Sequence, residues 1–115
     1  MKKFVAVMSI PQATIQEWMQ RTDAEARKKQ AEEMKQAWGV WMRQHADAVV
    51  EQGLPLGKTF RVTRDSIEHI RNDHVWYLVV QAASQEDAAA MVKQHPHLQI
   101  PNAYADVMDA SGMGM

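Results

Sequence analysis

Six consecutive apolar residues, Val75-Trp76-Tyr77-Leu78-Val79-Val80, set the strongest constraint on this chain. Their β-branched and aromatic content predicts a strand. Side chains alternate across a strand, so Val75, Tyr77 and Val79 share one face and Trp76, Leu78 and Val80 the other. A strand apolar on both faces needs cover on both. The segment Phe4 to Met8 repeats the demand, with Phe4, Ala6 and Met8 opposite Val5 and Val7. Helices can cover one side of such a sheet. A large apolar patch left on the other side would be unusual for a monomer. Pairing of two copies, sheet to sheet, removes it, so the sequence predicts a homodimer through the open sheet face.

The remaining elements follow from punctuation and periodicity. Ser9 and Pro11 mark a helix start, and Ile15, Trp18 and Met19 follow at helical spacing. Thr22 as N-cap with Glu25 three residues on forms a capping box, opening a helix predicted from Asp23 to about Gln52. Its apolar seam is Met34, Trp38, Trp41, His45 and Ala48. Glu25 and Lys29 pair across one turn of its solvated side. Gly53 and Pro55 end it. Lys58 to Thr63 reads as the second strand, with Phe60 and Val62 on one face, and Arg64 to His74 as a charged connector. Ser84 with Asp87 opens a last helix, whose buried stripe is Ala88, Met91 and Val92 and whose end is His95-Pro96. Tyr104 to Met108 reads as the final strand. The order is β-α-β-β-α-β. With right-handed crossovers it gives an α+β, ferredoxin-like four-stranded antiparallel sheet with two helices on one face.

At 115 residues the chain fits one domain, expected over residues 1–110, with Ser111 to Met115 as a flexible Gly/Met tail. It has no cysteine, so disulfides and thiolate chemistry are excluded. The lysines at the start precede an apolar stretch too short for a signal peptide, and no apolar run reaches bilayer length. A soluble, cytoplasmic protein is expected. Thirteen basic against 14 acidic residues leave a net charge of -1, which lacks the basic footprint of a nucleic-acid binder.

The stretch Trp76-Tyr77-Leu78-Val79-Val80-Gln81-Ala82-Ala83-Ser84-Gln85-Glu86-Asp87-Ala88, closed by His95-Pro96, resembles the YCII-related family, including its DGPF-type branch. Gln52-Gly53-Leu54-Pro55-Leu56-Gly57 is similar to that family's glycine-containing turn, and the likeness spans nearly the whole chain. Asn72-Asp73-His74 stands where the Asp-Gly-Pro-Phe signature would be. The resemblance implies a dimeric α+β barrel. Gln36 and His45 stand where the His–Asp pair proposed as catalytic in the family would fall, so that pair is not carried over.

Several side chains are candidates for chemistry. His45, one turn after Trp41 on the apolar seam, is a candidate general base, with Tyr77 or Arg71 stabilising charge. Trp38, Trp41 and Trp76, with His95, are candidates to line a ligand cleft. Lys58, Arg64 and Arg71 are candidates to hold an anion. His69, His74, His95 and His97 could gather at one end of the sheet, but solvated or structural histidines are the commoner case and no metal is assigned. No phosphate loop, nucleophile elbow or zinc-protease motif is present, and no cofactor is expected. The function expected is small-molecule binding in a Trp/His-lined cleft, with a cofactor-free His acid–base enzyme of isomerase or lyase type as the alternative.

Overall fold

A computed structural model describes residues 1–112. The reading of the C-terminal tail lies, from residue 113 onward, outside the described residues. The protein is α+β, with three helices and a four-stranded antiparallel sheet. At the centre of the sheet, β1 (Lys2–Ser9) pairs with β5 (His74–Ala82). The register sets Phe4 opposite Val80, Ala6 opposite Leu78 and Met8 opposite Trp76. Outside this pair lie β6 (Tyr104–Asp109), against β1, and the short β2 (Val49–Glu51), against β5, giving the order β2-β5-β1-β6.

The alternation read from the sequence decides the core. Phe4, Ala6, Met8, Leu78 and Val80 are fully buried, together with Trp41 of α2 (Ala24–Gln44) and Ala88 and Val92 of α3 (Gln85–Lys93). Each large side chain so buried contributes about 1.5–3 kcal/mol. On the opposite face Val5, Val7, Tyr77 and Val79 are only half-buried, with Met108 exposed beside them.

The starts of α2 and α3 are set by side-chain caps. Ser84 Oγ accepts from the Asp87 N–H at 3.1 Å, as its sequence position predicts. The long helix is capped one residue later than expected: Asp23 Oδ1 accepts from the Ala26 N–H at 2.7 Å. Thr22 instead closes α1 (Gln12–Arg21), its hydroxyl donating to the Trp18 carbonyl at 2.6 Å. A carboxylate at the positive helix end is the better cap here.

Two expectations are corrected between residues 45 and 70. The long helix stops at Gln44, not near Gln52, with His45 as its C-cap. The β-branched pair Val49-Val50 follows, and Val49 aligns with Val80. Lys58 to Thr63 is not the second strand of the main sheet. Thr59–Val62 (β3) and Ile67–Ile70 (β4) form a separate hairpin, so the charged connector after residue 64 is partly strand. Its apolar residues Phe60, Val62 and Ile67 are exposed. Backbone competition explains the change. Leu54 to Leu56 already occupies the edge of β5, with Leu56 N–H donating to the Val75 carbonyl at 3.0 Å and Pro55 bridged to Trp76. The next segment has no free edge there and pairs with itself.

Candidate functional site

The sequence Asn72-Asp73-His74 ties three parts of the fold together. Asp73 accepts from the backbone N–H of Ile10 through its carbonyl (2.8 Å) and from that of Gln12 through Oδ1 (3.3 Å). Asn72 donates to Thr59 Oγ1 (3.1 Å), while its own Oδ1 accepts from the His74 N–H (3.0 Å). Gln12 Nε2 donates to the Asn72 carbonyl at 2.7 Å. The start of α1, the base of the hairpin and the start of β5 are thereby fixed around one cavity of about 290 Å³.

Lys58, His69, Arg71 and His74 all line this cavity, and no carboxylate does. Ile15, Leu56, Ile70 and Val75 supply apolar wall. Neither Lys58 nor Arg71 forms an ion pair among the described residues, where Arg21 with Glu17 is the one pair present. Such a space offers charge-assisted hydrogen bonds to an anion with an apolar body. A larger hollow, about 510 Å³, runs along α2 and is lined by Glu25, Lys28, Lys29, Glu32, Glu33 and Gln36. One helix supplies that whole lining and its charges alternate in sign, the pattern of a solvated face.

His74 owes its place to a bulge. Met8 is opposite Trp76, yet the next residue, Ser9, is opposite His74, so Val75 is left without a partner on β1. Bulges re-aim side chains in this way. Ser9 is fully buried, and its Oγ lies 3.0 Å from His74 Nδ1. The Ser9 carbonyl lies 3.0 Å from His97 Nε2, which donates to it.

His97 leads into a second cluster. His95 is 1% exposed and its ring sits 4.4 Å from that of Trp38 and 4.6 Å from that of Trp41. Trp76 meets Trp38 edge-on at 5.1 Å. Burial, with His97 and His45 adding to it, pushes the His95 imidazole down to about 4. Burial also lowers His97, against an upward pull from backbone contacts at Ser9 and Tyr104. His95 Nδ1 accepts from the His97 N–H at 3.0 Å, so the neutral ring carries its proton on Nε2. That atom and Trp38 Nε1 are buried donors without acceptors. The indoles of Trp18, Trp41 and Trp76 all have acceptors, at Gln30 Oε1 and the carbonyls of Met91 and Gln52.

The candidates from sequence are spread over the fold. Lys58 and Arg71 meet at the cavity. Trp38, Trp41, Trp76 and His95 meet in the aromatic cluster. His45 caps α2, its ring 4.6 Å from that of Trp41, and lines neither hollow. Tyr77 lies on the other face of the sheet, donating to Glu51 Oε1 at 2.6 Å, a contact that raises its pKa. The set His45, Tyr77 and Arg71 is therefore not brought together. Arg64 sits at the hairpin turn, away from the cavity lining. The loop histidines separate into a cavity pair, His69 and His74, and a buried pair, His95 and His97. Among the described residues no three His, Asp or Glu side chains are placed to hold a metal, and no helix is long and apolar enough to cross a membrane. Ser9, Gln12 and Asn72 were not legible as site residues; Ser9 read as part of a helix start and Asn72-Asp73 as part of the charged connector.

Comparison with protein families, curated proteins and solved structures finds no match to this chain.

Proposed function

We propose that the protein is a homodimeric α+β barrel of ferredoxin-like domains, similar to the YCII-related family, that binds a small anionic molecule. The single observation carrying the ligand reading is the gathering of Lys58, His69, Arg71 and His74 on one cavity whose lining holds no carboxylate. Two fixed cations raise the local concentration of anions, and the apolar wall suits a ligand with a hydrocarbon body.

The dimer reading has separate support. The strand order β2-β5-β1-β6 fits the split pair of βαβ units. The described residues form a slab 19 Å in its thinnest direction, about the depth of one sheet and one helix layer. Val5, Val7, Tyr77, Val79 and Met108 would be covered by the same face of a second copy, an isologous contact.

A second reading places the ligand at the Trp38–His95 cluster, and the two orphan donors there favour it. A ligand supplying acceptors would satisfy both.

A thermal-shift screen tests these readings. It uses phosphate, benzoate and neutral benzamide on the wild type and on Arg71→Gln, Lys58→Gln and Trp38→Phe. Stabilisation by benzoate but not benzamide, lost in Arg71→Gln, is the expected result. Loss in Trp38→Phe alone supports the second reading. No shift with either anion contradicts the ligand proposal.

A further inference from the structure

We propose that His74 is a catalytic proton-transfer residue of the cavity, that Ser9 is its positioning residue, and that the substrates are small carboxylates with an acidic C–H beside a carbonyl. The proposal rests on the anion-binding reading above and adds a reaction to it.

Three independent features converge on His74. The bulge at Val75 turns His74 out of regular register and onto the cavity. A buried hydroxyl, Ser9 Oγ, holds Nδ1. Nε2 has no partner among the described residues, so it is the nitrogen available to a ligand.

The choice of a hydroxyl as anchor matters. A serine Oγ can donate or accept, so it holds the ring in every protonation state. With Nδ1–H donating to Ser9 Oγ, Nε2 carries the lone pair of a base. After Nε2 takes a proton, the Nδ1–H bond to Ser9 is unchanged. The ring can gain and lose its proton without moving, which a proton-transfer residue requires.

The step balances without any further reagent. His74 Nε2 takes the proton from the carbon beside the carbonyl. The C–H bonding pair moves between the two carbons as the carbonyl pair moves onto oxygen, giving an enolate. Arg71 and Lys58 lie on the same cavity and stabilise the oxyanion. The imidazolium then returns its proton to carbon as the carbonyl re-forms. In heavy water the nitrogen-bound proton exchanges with solvent, so deuterium is returned instead.

The experiment uses 2-oxobutyrate, whose C3 protons are followed by proton NMR in heavy water, with binding of the same probe measured by calorimetry. Wild type is expected to exchange these protons well above the buffer rate. His74→Gln is expected to retain binding, which Lys58 and Arg71 carry, and to exchange about 100-fold more slowly. His74 is exposed, and the melting temperature of the variant serves as the control for its fold. Arg71→Gln is expected to bind about tenfold more weakly, as loss of one charge-assisted bond implies. Ser9→Ala is expected to bind normally, to slow exchange, and to alter the tautomer balance of His74 in its two ring nitrogen-15 shifts; a merely structural serine would leave those shifts alone. Binding without exchange overturns the proton-transfer role and leaves the anion site standing, as does wild-type exchange in His74→Gln. Failure of the wild type to bind the probe overturns both.

Discussion

Gly53 lies against the backbone of Tyr77 so closely that a Cβ built on it would fall 1.6 Å from the Tyr77 carbonyl oxygen. Its φ is 76°, in the left-handed region that glycine tolerates. This contact turns the chain onto the edge of β5 and so decides that the following segment becomes a hairpin.

Replacing Gly53 should therefore be costly. Gly53→Ala combines strain at positive φ with a clash against backbone, and a loss of roughly 3 kcal/mol or more is expected. Gly57→Ala is the control: its Cβ would meet nothing within 4 Å. Urea unfolding of the two variants measures the difference, and equal stabilities would contradict the role given to Gly53.

The buried His95 predicts how stability depends on pH. Burial holds its imidazole at about 4 when folded, against about 6.5 in the unfolded chain. The unfolded state binds the proton more readily, so this contribution is full above about pH 6.5. It is lost as pH falls toward 4, to a total of about 3 kcal/mol. His97, lowered in the same sense, adds to the slope. Chemical denaturation between pH 4 and 7 should show a shallower slope for His95→Gln than for wild type, whatever the variant's absolute stability.

The helix start gives a sharper comparison. Asp23→Ala removes the bond to the Ala26 N–H and should cost about 1 kcal/mol. That loss should come with lower helicity in far-ultraviolet circular dichroism. An unchanged melting temperature would show that residue 23 is not the cap.

The open sheet face makes a prediction about assembly. Wild type should sediment at twice the monomer mass, and Val5→Lys at the monomer mass with its circular dichroism unchanged. Val5 lies between Val79 and Met108, so a charge there has no partner across the strands. Wild type that remains monomeric at micromolar concentration would contradict the dimer.

What could be read from the chain alone followed the strength of its local signals. The strand at residues 75–80, the Ser84 cap and the stripe Ala88, Met91 and Val92 needed only periodicity and capping. The end of the long helix was hidden because Ala48 continues the apolar spacing of Trp41 and His45, while the strand partner of Val49 lies 31 residues on, at Val80. The hairpin was hidden for a similar reason: whether Phe60 faces a core depends on which segment reaches the β5 edge first. At the site, Lys58 and Arg71 were recognisable as anion-binding residue types. Their meeting on one cavity, and the buried Ser9 behind His74, depend on a bulge that leaves no mark in residue spacing.

The location of the bound anion is the most direct test of the central claim. Benzoate titrated into nitrogen-15-labelled protein should shift, saturably, the backbone amides of Gly57, Thr59, Arg71, Asn72 and His74. The indole N–H signals of Trp38 and Trp76 should stay in place. Saturable shifts confined to those two indoles, or no saturable shift at all, would contradict an anion site between α1 and the β3–β4 hairpin.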